Sequence, residues 1–319
     1  MMPYAVPYAK YILIAAPINC ATFVLNNTLR SQGKTKLSMI GMGAGGILNI
    51  ILDPIFIFKL GLGTGGAALA TMVGQTLSFV ILSCCFISGK SIVKIGIKYI
   101  SRNADDYRLI ITTGIPTICR QSLGSLAAAV LNIQAIAYGG DAAGAAITIA
   151  NKVYILVRNL ILGIGQGFQP VAGYNYGAGN KKRTWQSFTF TVKTGTVVCS
   201  VFSVLTLVFA QQIMLWFTQD MQVVQLGVET LRILGFAMPF LAFSTYVNHL
   251  YQCLGFRAYA TFLASCRQGI FFLPIVILLP LKLGCIGVQA SQPLADLCTF
   301  VVSIPFIFIF YKKYVLSKD

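Results

Sequence analysis

The stretch from residue 37 to residue 58, LSMIGMGAGGILNIILDPIFIF, carries a single charged side chain, Asp53. As a helix rising about 1.5 Å per residue it reaches about 33 Å, enough to cross a hydrocarbon core about 30 Å thick. Eight further apolar runs of spanning length fall at about 8–29, 66–88, 109–136, 144–172, 186–209, 226–252, 259–280 and 286–311. The 319 residues are 56% hydrophobic and 10% charged, with a mean hydropathy of +0.77. A soluble domain carries about 25% charged residues. An ordinary soluble enzyme is excluded, and the chain reads as an all-α polytopic membrane protein with about nine transmembrane helices.

The 24 Lys and Arg against 8 Asp and Glu give a net charge of +16, which raises a nucleic-acid partner as a question. The location of the charges answers it. Arg30, Lys34 and Lys36 share one connection; Lys90, Lys94, Lys98, Arg102 and Arg108 share another. Lys181, Lys182 and Arg183 follow, then Arg257, then Lys312, Lys313 and Lys318 at the C-terminus. The alternate connections hold only Lys59 and Lys282, so the rich side, C-terminus included, is expected to face the cytoplasm. The basic balance therefore concerns topology in a multi-pass plasma-membrane protein, with the bilayer and not nucleic acid as partner.

The long polar stretch SGKSIVKIGIKYISRNADDYR, Ser88 to Arg108, divides the chain. Residues 1–88 form a partial N-terminal lobe of three helices, 89–107 a cytoplasmic basic linker, and 108–319 a C-terminal lobe of six helices. Nine spans with a cytoplasmic C-terminus put the N-terminus outside. The opening MMPYAVPYAKYILIAAPINC lacks the basic end and following apolar block of a cleavable signal. An odd number of spans upstream of Met1 removes the conflict, so a truncated chain is expected.

An internal repeat points the same way. Pro17, Asn26 and Gly33 recur as Pro239, Asn248 and Gly255 at one common offset; Gly63 and Gly66 recur as Gly284 and Gly287 at an offset one residue shorter. Both copies run span, basic turn, span, Gly-rich turn, span. The six-helix bundle thus reads as complete and the three-helix bundle as short by three. Parallel duplication of six-helix halves is an architecture of secondary transporters. The nine cysteines show no metal spacing, and with His249 as the one histidine they read as small buried hydrophobes, with no metal site.

Three segments also carry a family likeness. FVLNNTLRSQGKTKLSMIGMGAGGILNIILDPIFIF (Phe23 to Phe58), GIPTICRQSLGSLAAAVLN (Gly114 to Asn132) and GQGFQPVAGYNYGAGN (Gly165 to Asn180) resemble the multidrug and toxic compound extrusion (MATE) family, and within it the bacterial multidrug exporters. The resemblance covers essentially the whole chain. It implies two six-helix lobes, of which this chain resembles spans four to twelve. It also implies a cation-coupled antiporter, in which inward H⁺ or Na⁺ flow drives export of bulky, often cationic, drug-like molecules by alternating access, with no cofactor. Spans one to three are the departure, and with them a first-span acidic residue that many members are thought to use in coupling.

Ionisable groups inside a bilayer are costly and are functional candidates. Asp296 lies about 15 Å into the last span and Arg267 about 12 Å into the preceding one, so across a hairpin the two could meet. An internal ion pair then competes with cation coupling, because a pair that stays closed makes a poor proton carrier. Asp53, before Pro54, is read either as part of a helix break or as a carboxylate lining the external mouth; the resemblance sets this LDP motif facing the cleft. Asp53 and Asp296 are the cation-coupling candidates. Arg120, Gln121 and Ser122 follow Pro116 about 16 Å into the fourth span and serve either a kink's freed carbonyl or a polar cavity wall. For Arg120 the structural role is favoured, since a fixed cation there opposes cationic cargo.

Gln166, Gln169 and Asn175 lie near the cytoplasmic end of the fifth span, where packing competes with substrate contact; Lys152 and Arg158 form a stripe on the same span. His249 beside Asn248 repeats Asn27 beside Asn26, which favours an interhelical hydrogen bond over a proton relay. The substrate-lining candidates are therefore Asn26, Gln121, Ser122, Gln166, Gln169, Asn175, Asn248 and His249, with Pro17, Pro116 and Pro239 as kinks. Two other readings compete: a lipid-linked saccharide flippase, which wants a basic cleft floor, and a non-transporting truncated remnant. A membrane-embedded enzyme wants a His–acid pair or an acidic metal cluster, and one His, one Glu (Glu229) and dispersed Asp residues supply neither. The truncation expectation is checked by sequencing the native message upstream of Met1. An in-frame extension encoding three more spans is expected, and a stop codon directly before Met1 removes it.

Overall fold

The computed structural model describes residues 2–89 and 91–315; Lys90 and Lys318 of the basic connections lie outside the described residues. The chain is an all-α polytopic membrane protein, with no strand among the described residues and eight helices long and apolar enough to cross a bilayer. It forms two compact units, Met1–Arg102 and Asn103–Asp319. The division falls inside the polar stretch read from the sequence as a linker.

In the first unit α1 (Met2–Ser31) and α2 (Thr35–Pro54) both pack against α3 (Gly63–Ile87). Leu25 and Leu29 of α1 meet Leu82 and Phe86 of α3 in the buried core. α2 and α3 touch backbone to backbone: a Cβ added at Gly45 would lie 2.3 Å from the Gly74 carbonyl oxygen. Such close approach is how helices hold together in a solvent as apolar as their own side chains. After Pro54 the helix does not stop but widens into a π turn, Ile55–Lys59, in which the Leu60 N–H donates to the Ile55 carbonyl. The break expected at Asp53–Pro54 is thus a change of hydrogen-bond register. Gln32, after α1, pairs with Ser91 and accepts from the Ile92 N–H at 3.0 Å, which gathers both basic connections of this unit at one end.

The second unit opens with α4 (Ala104–Gly177), whose 74 residues would reach about 110 Å as one rod. It is two helices joined at Gly140, which holds φ 68° and ψ −170°, a conformation open to glycine and closed to side chains with a Cβ. The eight helices therefore supply nine spanning segments. α5 (Lys181–Val208), the short α6 (Ala210–Leu215) and α7 (Met221–Cys253) follow. α8 (Arg257–Ser265), a π stretch Cys266–Phe272 and α9 (Leu273–Leu278) make one span, and α10 (Pro280–Phe310) the last. Arg257 donates to Thr112 at 2.7 Å and Trp185 packs on Tyr311, so the basic connections of this unit also share an end.

The sequence repeat is a structural one. Gly33 and Gly255 turn their chains at φ 74° and 80°, Gly63 and Gly284 at 53° and 57°. Ser38 donates to buried Asn26, and Asn248 donates to the Ala260 carbonyl at 2.7 Å, each clasping the helix beyond its turn. Pro17, Pro116 and Pro239 lie inside helices, where each removes a backbone donor, and non-helical φ/ψ falls at Gly140 and Gly284. The cysteine expectation is corrected in part. Cys199 and Cys266 are buried, but Cys20 and Cys84 are exposed, as thiols on lipid-facing apolar helices can be at little cost.

α7 is the axis of the second unit, packed against α4, α5 and α10. Its Tyr246 is fully buried, and a Cβ at Gly195 on α5 would lie within 2.3–2.4 Å of that ring. Gly195→Ala therefore overpacks the core and should lower stability by about 1–3 kcal/mol. Gly167→Ala, with nothing within 4 Å, should be neutral or stabilising through helix propensity. Thermal melting in detergent compares them, and equal melting points would remove the packing argument.

Candidate functional site

The second unit contains a cavity of about 320 Å³ among its spanning helices. The first limb of α4 contributes Arg120 and, one turn on, Gly124; the second limb contributes Ile155 and Arg158. From α7 come Ser244, Thr245 and Asn248, and the span of α8 adds Arg267 and Gln268. An adjoining cavity of about 210 Å³ shares Gly124, Ala128, Ile155, Arg158 and Gln268, and adds Asn132, Asn151 and Lys152.

Behind the cavity wall lies a buried polar hub. Asp296 on α10 has no exposed surface, and Arg267 Nε donates to its Oδ1 at 2.7 Å. Gln292, one turn earlier on the same helix, donates to that oxygen at 3.1 Å. The Tyr154 hydroxyl donates to Oδ2 and accepts from Arg267 Nη2 at 2.5 Å. The guanidinium carbon also sits 5.9 Å from the centre of the Tyr154 ring. Arg267 stands on the π stretch, where the extra residue per turn shifts the side chain around the helix. Of the two readings of Asp296 from sequence, the internal ion pair is the one the geometry contains.

Two further guanidiniums line the cavity. Among the described residues Arg120 and Arg158 stand in no ion pair, and Arg158 Nε is buried without a hydrogen-bond partner. Arg120 and Gln121 line the cavity. A charge near the centre of a bilayer costs about 2.5–3.5 kcal/mol on insertion scales, so two unbalanced guanidiniums are a large local expense.

Of the candidates named from sequence, Gln121 and Asn248 line this cavity. Ser122 is exposed outside it, and Ser125, one turn after Gln121, lines it instead. His249 is buried with its ring, Nδ1 foremost, against the backbone of Gly165 on α4, an interhelical contact of the kind expected of it. Gln169 faces Gln252 at 3.5 Å, and Gln252 donates to Thr117 at 2.9 Å; Gln166 is exposed. Asn175 turns back onto its own helix, donating to the Val171 carbonyl at 2.8 Å. In the first unit Asn26 is buried against Ser38, and half-buried Asp53 accepts from Asn49 at 3.3 Å. Gln268, Ser244 and Thr299 were missed from sequence: small or uncharged polar residues in apolar spans, they come to the cavity from three different elements and only packing brings them together. No group of His, Cys, Asp and Glu suited to a metal occurs among the described residues.

Residues 1–55 and 116–278 match the family model described as MatE, and the chain belongs to that family. It is 26% identical over 298 residues to the multidrug export protein MepA of Staphylococcus aureus (strain bovine RF122 / ET3-1), covering 93% of this chain. The chain spans about 65% of the length of that curated relative. Among solved structures, one of MATE in complex with MaL6 superposes with a TM-score of 0.91 at 25% identity, over 98% of this chain and 71% of that one. A MOP superfamily transporter from Pyrococcus furiosus, described as having a binding pocket of reverse polarity, superposes with a TM-score of 0.90 at 25% identity, over 99% and 71%.

Removing one partner of a buried pair leaves the other charge uncompensated, at about 3–5 kcal/mol. Asp296→Asn should lower the melting transition accordingly. Asp296→Leu combined with Arg267→Met should recover part of the loss, less the unsatisfied Tyr154 hydroxyl. An Asp296→Asn protein as stable as the parent would show that the hub contributes nothing to the fold.

Proposed function

We propose that the chain works in a cation-coupled antiporter of the plasma membrane that exports bulky organic molecules by alternating access. The observation that carries this reading is the polar cavity, large enough for part of a drug-sized molecule, sunk among apolar spanning helices of a MatE-family chain. MepA, a relative covering nearly all of this chain, is a multidrug export protein, which supports export as the direction. The ends that gather the basic connections face the cytoplasm in this reading, the C-terminus among them.

The coupling carboxylate we favour is Asp53. Its one described hydrogen bond is a long amide contact from Asn49, whereas Asp296 is saturated by three donors. An exchanging carboxylate must change partners during each cycle, which a half-buried, loosely held group does at small cost. The driving ion is H⁺ or Na⁺, and no cofactor takes part.

Proteoliposomes loaded with a lipophilic cationic dye and, in a separate set, with its anionic isostere test the reading. An imposed H⁺ or Na⁺ gradient should drive dye movement against its own gradient, and replacing one ion by the other should identify the coupling ion. Asp53→Asn should reduce the driven flux at least tenfold while leaving the melting temperature nearly unchanged. Flux indifferent to both gradients would sink the antiporter reading.

A further inference from the structure

We propose that the cavity of the second unit binds an oxyanion, the carboxylate, sulfonate or phosphate of an amphipathic molecule, on Arg120 and Arg158. The inference deepens the exporter reading by naming a class of cargo, and it rests on that reading for transport but not for binding.

Charge comes first. Arg120, Arg158 and Arg267 line the larger cavity and Lys152 the smaller, while no Asp or Glu lines either. The nearest carboxylate, Asp296, is buried behind the wall and already accepts from Arg267, Tyr154 and Gln292. Arg267 repels both of the other arginines, with no lining acid to separate them. A cationic group entering here meets three guanidiniums, and an anionic one relieves their mutual repulsion.

Hydrogen bonding agrees. The buried Nε of Arg158 has no partner, so a donor stands ready beside the cavity. Guanidinium presents a planar fork that matches carboxylate and phosphate with two parallel bonds. Gln121, Ser125 and Gln268 supply further polar contacts around the same space. Ile155, Leu162 and Leu263 line it as well, which suits the alkyl or aromatic body of an amphiphile. The volume fits one charged head with a small apolar body and excludes a large polyanion.

The test is fluorescence binding of 1-pyrenebutyrate to the full chain in phosphatidylcholine nanodiscs, beside its cationic isostere pyrenylbutyl-trimethylammonium. Saturable binding of the anion and none of the cation is expected. Arg158→Gln and Arg120→Gln should each weaken the anion about tenfold or more, and Arg158→Lys should restore part of it, with unchanged melting curves showing intact folds. Displacement by phosphatidate placed in the disc identifies a lipid headgroup as the source, and displacement by soluble phosphate a free oxyanion. Equal or stronger binding of the cation, or glutamine variants that bind pyrenebutyrate like the parent, would overturn the proposal. Gradient-driven efflux of a cationic dye without anion binding overturns this inference alone, whereas anion binding without driven flux overturns the exporter reading alone.

Discussion

Asp296 accepts three hydrogen bonds from donors on three segments of chain, and the second unit is arranged around that fact. Within a membrane bundle such a carboxylate persists only if its charge is matched and its lone pairs are filled. Arg267 supplies the charge, but only from the π stretch that swings it toward α10. Tyr154 bridges the two and ties the second limb of α4 to both. The position of Arg158, one turn beyond Tyr154, then follows from helix geometry, which carries it to the cavity on the open side of the hub.

The remaining joints of both units are made with small residues and single amides. Asn26 and Asn248 clasp the helix after their turns, and Gly45, Gly74, Gly165 and Gly195 let backbones or rings approach where a methyl group would collide. Such devices work in a bilayer because apolar side chains there gain nothing by leaving lipid, so contact distance and a few polar bonds decide which helices associate. In the first unit these accompany the packing of Leu25 and Leu29 on Leu82 and Phe86. The second unit contains an ionic hub, where charge has a task beyond topology.

Much of the fold was legible because a bilayer enforces length: runs of about 20 apolar residues leave few alternatives to crossing. The paired turns at Gly33 and Gly255 could be placed from pattern, since the repeat marks them twice, while the turn at Gly140 was foreseen only as a gap between the runs 109–136 and 144–172. The site was legible only where residues announce themselves by cost. Arg267 with Asp296 was foreseeable from depth, and Gln121 with Asn248 from polarity. Ser122 and Ser125 differ by less than one helical turn, and sequence cannot say which faces a cavity when the exact rotation of the helix is set by glycine contacts elsewhere. The π stretches at Ile55–Lys59 and Cys266–Phe272 were illegible for a related reason, since one extra residue in a turn leaves the apolar pattern almost unaltered.

The net charge of +16 therefore has two separate explanations. Most cations sit in connections, where water solvates them and the asymmetry sets orientation at little energetic cost. Arg120, Arg158 and Arg267 sit inside spans, where each costs kilocalories, and one carboxylate offsets only one of them. A structural ion pair accounts for Arg267 and Asp296 and leaves Arg120 and Arg158 in no ion pair among the described residues. Serine or glutamine would satisfy a kinked helix as well and far more cheaply. Groups kept at that cost, facing a cavity with apolar walls and no acid among its lining residues, are the basis of the oxyanion site proposed above.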